Sequence, residues 1–74
     1  MLRLTTHALE RIAERGLTAA QLANALDGRQ YVMPDGTTIH LGPGRVAVVV
    51  NPAAQVVVTA YRIQRKLLKR HFSR

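Results

Sequence analysis

The sequence predicts an α+β fold, with two N-terminal helices packed on a four-stranded antiparallel sheet and a basic C-terminal tail or short helix behind them. Two observations carry that prediction. Two segments near the start each open on a threonine and close on a glycine, the punctuation of short helices. After Gly28 the punctuation changes to Pro34-Asp35-Gly36, Gly42-Pro43-Gly44 and Asn51-Pro52, turn signals that divide the remaining chain into short apolar runs. A chain of 74 residues makes one thin-cored domain, placed at residues 1–62, with residues 63–74 as the tail.

Thr6 is the expected N-cap of a first helix over residues 7–15, because its hydroxyl can accept from the free amides of the first turn, and Gly16 stops it. Thr18 with Gln21 three residues on makes a capping box, so a second helix follows over 19–27 and closes at Asp27-Gly28. The runs 29–33, 37–41, 45–50 and 55–61 read as strands, and their short connections make an antiparallel meander the economical topology. The last two are rich in valine and are expected to be central.

Within 55–61, Val56, Val58 and Ala60 alternate with Val57, Thr59 and Tyr61; within 37–41, Thr37, Ile39 and Leu41 alternate with Thr38 and His40. Turning the first set of each toward the helices leaves Thr59, Tyr61 and His40 together on the opposite face. Beyond Arg62, the spacing of Ile63, Leu67, Leu68 and Phe72 fits a short basic amphipathic helix.

Composition narrows the function classes. There is no cysteine, which removes disulfides, thiol catalysis and thiolate metal sites, and three dispersed histidines make a weak metal case. No metal or other cofactor is expected. The longest apolar run, residues 46–50, is too short to span a bilayer, and no signal-peptide core opens the chain. A soluble cytoplasmic protein, or one domain of a larger effector delivered into a target cytoplasm, is the expectation.

The net charge of +7 is unevenly placed. Residues 1–61 hold five arginines against four acids, whereas Arg62, Arg65, Lys66, Lys69, Arg70 and Arg74 carry +6 with no acid among them. The tail therefore suits a polyanion such as nucleic acid, and Arg62, Arg65, Lys66, Lys69 and Arg70 are its candidate contacts. It equally suits an anionic membrane surface, an acidic partner protein or plain solvation.

On a helical wheel the first helix places Ala8, Leu9, Ile12 and Ala13 on one side, with His7, Arg11 and Arg15 stacked one turn apart along its margin. The same pattern describes a solvated charged face, with Glu14 relieving Arg11. As a site, two guanidiniums and an imidazole match a phosphodiester, since arginine donates in a fork to its oxygens and histidine moves a proton near neutral pH. His40 is a second proton carrier if it shares a face with Thr59 and Tyr61.

The string His7-Ala8-x-x-Arg11-x-x-x-Arg15-Gly16-Leu17-Thr18, with the Pro-Asp-Gly turn and a last strand ending Val57-Val58-Thr59-Ala60-Tyr61-Arg62, resembles a bacterial family known by this HAxxRxxxRG signature. That family is a domain of unknown function grouped on fold with the barnase, EndoU, colicin and RelE-like ribonucleases, which serve as toxins. The resemblance covers residues 4–62. It implies a metal-independent ribonuclease toxin cutting transfer or messenger RNA, with an acidic antitoxin or immunity protein as partner. His7 would be the general acid or base, Arg11 and Arg15 the phosphate clamps, and Thr59 or Tyr61 hydrogen-bonding partners. Two other readings stand beside it: a helix-turn-helix-like DNA-binding module, although residues 19–27 hold no Lys or Arg, and a catalytically inactive protein-interaction domain.

Overall fold

The computed structural model describes residues 2–64. It is an α+β domain whose elements run β1 (Arg3–Leu4), α1 (Thr6–Glu14), α2 (Ala19–Leu26), β2 (Arg29–Val32), β3 (Thr38–Leu41), a 3-10 turn at Pro43–Arg45, β4 (Val46–Asn51) and β5 (Val56–Arg62). The strands form one sheet in the order β1-β5-β4-β3-β2. The four later strands are the expected antiparallel meander, with β4 and β5 in the interior. The sheet is nevertheless five-stranded and mixed, because β1 adds to β5 in parallel.

The extra strand is two residues long, too short to show any alternation in sequence. It decides where α1 begins. The Arg3 N–H donates to the Gln55 carbonyl at 2.9 Å, and the next residue off the strand, Thr5, takes the N-cap in place of Thr6. Thr5 Oγ1 accepts from the Ala8 N–H at 3.0 Å and donates to the Val57 carbonyl at 3.3 Å, so one hydroxyl both caps the helix and ties it to the last strand.

Gly16 closes α1 at φ +64, with its N–H donating to the Ala13 carbonyl and the Leu17 N–H to that of Ile12. These are the two bonds of a Schellman cap, and they carry Leu17 back into the core beside Ile12. The Thr18–Gln21 capping box of α2 is present in both directions, at 3.1 and 2.8 Å. Gly42 lets α2 lie against the end of the sheet: a Cβ there would stand 2.5 Å from the Ala25 Cα.

Helix α1 packs on β5, and α2 on β4 and β3. The core lies between helices and sheet, built from Ala8, Leu17 and Ala25 against Val46, Val48, Val50, Val57 and Ala60. Register then assigns the faces. Val48 stands between His40 and Ala60, and Val50 between Thr38 and Val57, so Thr38 and His40 lie on the helix side. Ile39, Val49 and Thr59 form one row of the other face, and Leu41, Ala47 and Tyr61 the next.

His40 is therefore separated by the sheet from Thr59 and Tyr61. The expectation that Ile39 and Leu41 would face the helices is overturned because both faces of this sheet are apolar, and alternation alone does not rank them. In β5 the alternation is broken by a bulge at Val58, which lets Val57 and Ala60, three residues apart, both reach the core.

Ile63, the first residue of the expected tail helix, instead extends the line of β5, donating its N–H to the Arg45 carbonyl at 2.8 Å. The rest of that segment, with Arg65, Lys66, Lys69, Arg70, Leu67, Leu68 and Phe72, lies outside the described residues. No helix among the described residues is long and apolar enough to cross a membrane.

Candidate functional site

The inward side of α1 differs from the wheel. Ala8 is fully buried and Ile12 packs on the core, but Leu9 is 51% exposed and Ala13 faces water. The helix is thus rotated so that the cationic positions Arg11 and Arg15 turn toward β5. His7, at the start of the helix, is exposed.

Each cation has its own setting. Arg11 is half-buried; its Nη1 donates to Glu14 Oε1 at 2.7 Å, and its Nε is sealed from solvent without an acceptor. Arg15 reaches across to the last strand, where Nη1 donates to the Ala60 carbonyl at 2.8 Å. Arg62 reaches back, its Nη1 donating to the Arg15 carbonyl at 2.9 Å and so satisfying a free acceptor at the helix C-terminus.

The result is a shallow cleft of about 490 Å³ lined by Arg15, Tyr61, Arg62, Ile63 and Gln64. Two guanidiniums therefore converge there, each with one Nη held by backbone and other donors remaining, while Tyr61 contributes to the lining from a row of the sheet that faces away from the helices. Arg45 was not singled out by sequence. Its carbonyl holds Ile63, its backbone is at φ +62, and its exposed side chain belongs to the same end of the sheet. Its only signal in the sequence is the Gly44-Arg45 turn.

Of the residues expected to form the site, Arg15, Tyr61 and Arg62 are brought together. Thr59 is half-buried on the far face beside Val49. His40 lies on the helix side of β3, its Nδ1 enclosed without a partner, and does not join them. Eight residues separate His7 from Arg15, a rise of about 12 Å along the helix. That separation keeps His7 outside the cleft. Among the described residues no three His, Asp or Glu side chains come together as a metal site.

The chain belongs to the family described as a domain of unknown function (DUF4258), which matches residues 4–62. Neither a curated protein nor a solved structure matches it significantly. The match begins at β1 and ends with β5, spanning every element described above.

Proposed function

Taking membership of that family as the premise, we propose that the domain is a metal-independent endoribonuclease of toxin type, with the fold of the barnase, EndoU, colicin and RelE-like enzymes. The reacting phosphate sits against His7 and Arg11, one turn apart on α1. The neighbouring phosphate of the same strand occupies the cleft between Arg15 and Arg62, with Tyr61 beside it. Arg65, Lys66, Lys69 and Arg70, which lie outside the described residues, add positive charge in sequence after Arg62, and an acidic antitoxin or immunity protein would compete for the same cations.

The chemistry follows from what RNA supplies. The 2′-hydroxyl is the nucleophile, so a base need only take its proton as the 2′-oxygen attacks phosphorus. Guanidinium donors stabilise the charge gathering on the non-bridging oxygens, and an acid returns a proton to the departing 5′-oxygen, leaving a 2′,3′-cyclic phosphate. His7 moves the proton; Arg11 supports the phosphorane.

The observation that carries this reading is Arg11. A half-buried arginine whose Nε is enclosed without an acceptor weakens a fold, at about 1–3 kcal/mol for a buried unpaired donor, and a merely structural position would be filled better by leucine or methionine. Retaining charge at that position suits a residue selected for a ligand.

The test is cleavage of total RNA by the purified protein in chelator, followed by end-group analysis. Cyclic phosphate ends, lost in His7→Ala and absent when the scissile nucleotide is 2′-deoxy, are expected. Intact RNA under all conditions would sink the proposal. A non-catalytic interaction domain is the second reading, favoured by Leu2, Leu4 and Leu9, all exposed on or beside the edge strand and the outer side of α1.

A further inference from the structure

The sheet has two edges, and they differ in length and in protection. β1 forms one with two residues, and β2 forms the other with four, Arg29–Val32, paired on one side to β3 and on the other to no strand among the described residues. Proline, lysine or a bulge ordinarily blunts such an edge. β2 contains neither residue, its register with β3 is unbroken, and its single charge, Arg29, stands at its first position. Val32, at 76% exposed, is the most open large apolar residue among those described.

Hydrogen-bond alternation identifies the groups this edge offers. The Met33 N–H donates to the Thr37 carbonyl at 2.8 Å, which makes that pair, and every second pair before it, the bonded ones between β2 and β3. Arg29 and Tyr31 therefore turn their backbone groups to β3, and Gln30 and Val32 turn theirs outward. The Gly42 N–H, bonded to the Val46 carbonyl on the β4 side, agrees: it leaves Ile39 and Leu41 for β2. Gln30 and Val32 are both exposed. The outward ladder stops at each end, because the Gly28 N–H donates to the Ala25 carbonyl at 2.9 Å and Pro34 has no N–H to give.

We propose that β2 pairs antiparallel with β2 of a second copy, about a two-fold axis at Tyr31, joining two sheets edge to edge. In that register Gln30 of each copy lies opposite Val32 of the other, and the two exchange N–H and carbonyl bonds, so every outward backbone group of the strand is used. A shift by two residues in either direction sets an outward residue opposite Gly28 or Pro34, and each of those lacks a donor. The edge is thus complementary to itself in one register.

Charge agrees with the pairing. Arg29 of one copy stands opposite Met33 of the other and diagonal to its Asp35, a separation that a long side chain spans, and the symmetry repeats the relation. Both residues are exposed, and among the described residues neither forms an ion pair. Arg15 and Arg62 line their cleft at β5, three strands or about 14 Å from β2, so the joined pair keeps both cationic clefts outside the interface.

The experiment is sedimentation equilibrium of the full-length protein from micromolar to millimolar concentration, where the mass is expected to rise from monomer to dimer. In a mixed labelled and unlabelled sample, nuclear Overhauser contacts between molecules should join the Val32 methyls to Gln30. Gln30→Pro removes an outward N–H without touching a bond to β3, and it should weaken the dimer by about tenfold or more. Val32→Lys, which alters only an exposed side chain, should do the same with the backbone intact. Arg29→Asp should weaken the dimer too, by setting two acids near each other. A monomer mass throughout overturns the proposal, as does a dimer that Val32→Lys and Arg29→Asp leave unchanged. Contacts between molecules found instead at Leu2, Leu4 or Leu9 overturn it as well.

Discussion

The two helices begin and end alike, yet they spend their inward sides differently. Helix α2 opens on Thr18, closes at Asp27-Gly28, and turns Leu22, Ala25 and Leu26 to the sheet, all neutral and all in or against the core. Helix α1 opens on Thr5, closes at Gly16, and turns Arg11 and Arg15 toward β5 beside Ala8 and Ile12. Two helices of nearly equal length on one sheet thus divide the work: α2 holds the fold, and α1 gives up apolar contact to present charge.

That contrast breaks most sharply at the α2 end. Gly42→Val should drive side-chain atoms into the Ala25 backbone and cost about 3 kcal/mol or more, visible as a fall in Tm of well over 10 °C or as failure to fold. A mild loss would mean that α2 is not the rigid partner.

The next test runs the other way. Arg11→Leu removes the enclosed, unpaired Nε, so the protein should be as stable as the wild type or more so by about 1 kcal/mol, while RNA cleavage falls at least 100-fold. Lower stability in a thermal melt, with cleavage retained, would make Arg11 structural and erase the distinction between the helices.

Smaller effects sharpen it at the caps. Thr18→Ala should cost about 1 kcal/mol, the ordinary worth of an N-cap. Thr5→Ala should cost more, because its hydroxyl also donates to Val57. Equal losses in denaturant melts would show that the bond to β5 contributes nothing.

The smallest effect lies at the β2–β3 turn, away from both helices. The Thr37 hydroxyl donates to Asp35 Oδ1 at 2.6 Å and the Thr37 N–H at 3.0 Å, which holds the carboxyl below its ordinary value of 3.8. A depressed pKa in the folded state contributes stability above the unfolded value, lost as pH falls through the lower folded one. Thr37→Val should move the Asp35 carboxyl titration, followed by carbon NMR, back up toward 3.8 and flatten the stability profile below that pH.

Legibility in the sequence followed the same division. Everything fixed by local chemistry was readable: the Thr18–Gln21 box, the Gly16 stop, the three turns and the four meander strands. What depended on distant partners was not. Thr5 and Thr6 are equivalent caps until β1 settles on β5, and β1 has too few residues to announce itself.

Likewise, alternation in β3 separates Ile39 and Leu41 from Thr38 and His40 but does not say which pair the helices cover. Of the stripe His7, Arg11 and Arg15, only Arg15 lines the cleft, and its meeting there with Arg62 at the end of β5 was not legible, since that needed the reach of one arginine across to the next.

The clasp between Arg15 and Arg62 also sets an order of assembly. Its two bonds join residues 45 and 47 positions apart, and the Thr5 bond to Val57 spans 52. The first strand and first helix both dock on the last strand, so these N-terminal elements have no surface to settle on until β5 exists. A ribosome making this protein releases α1 early and leaves it waiting, unmoored, until β5 emerges. The cationic cleft comes into being only once β5 has emerged and folded, so a shorter nascent chain carries Arg15 without the cleft it lines.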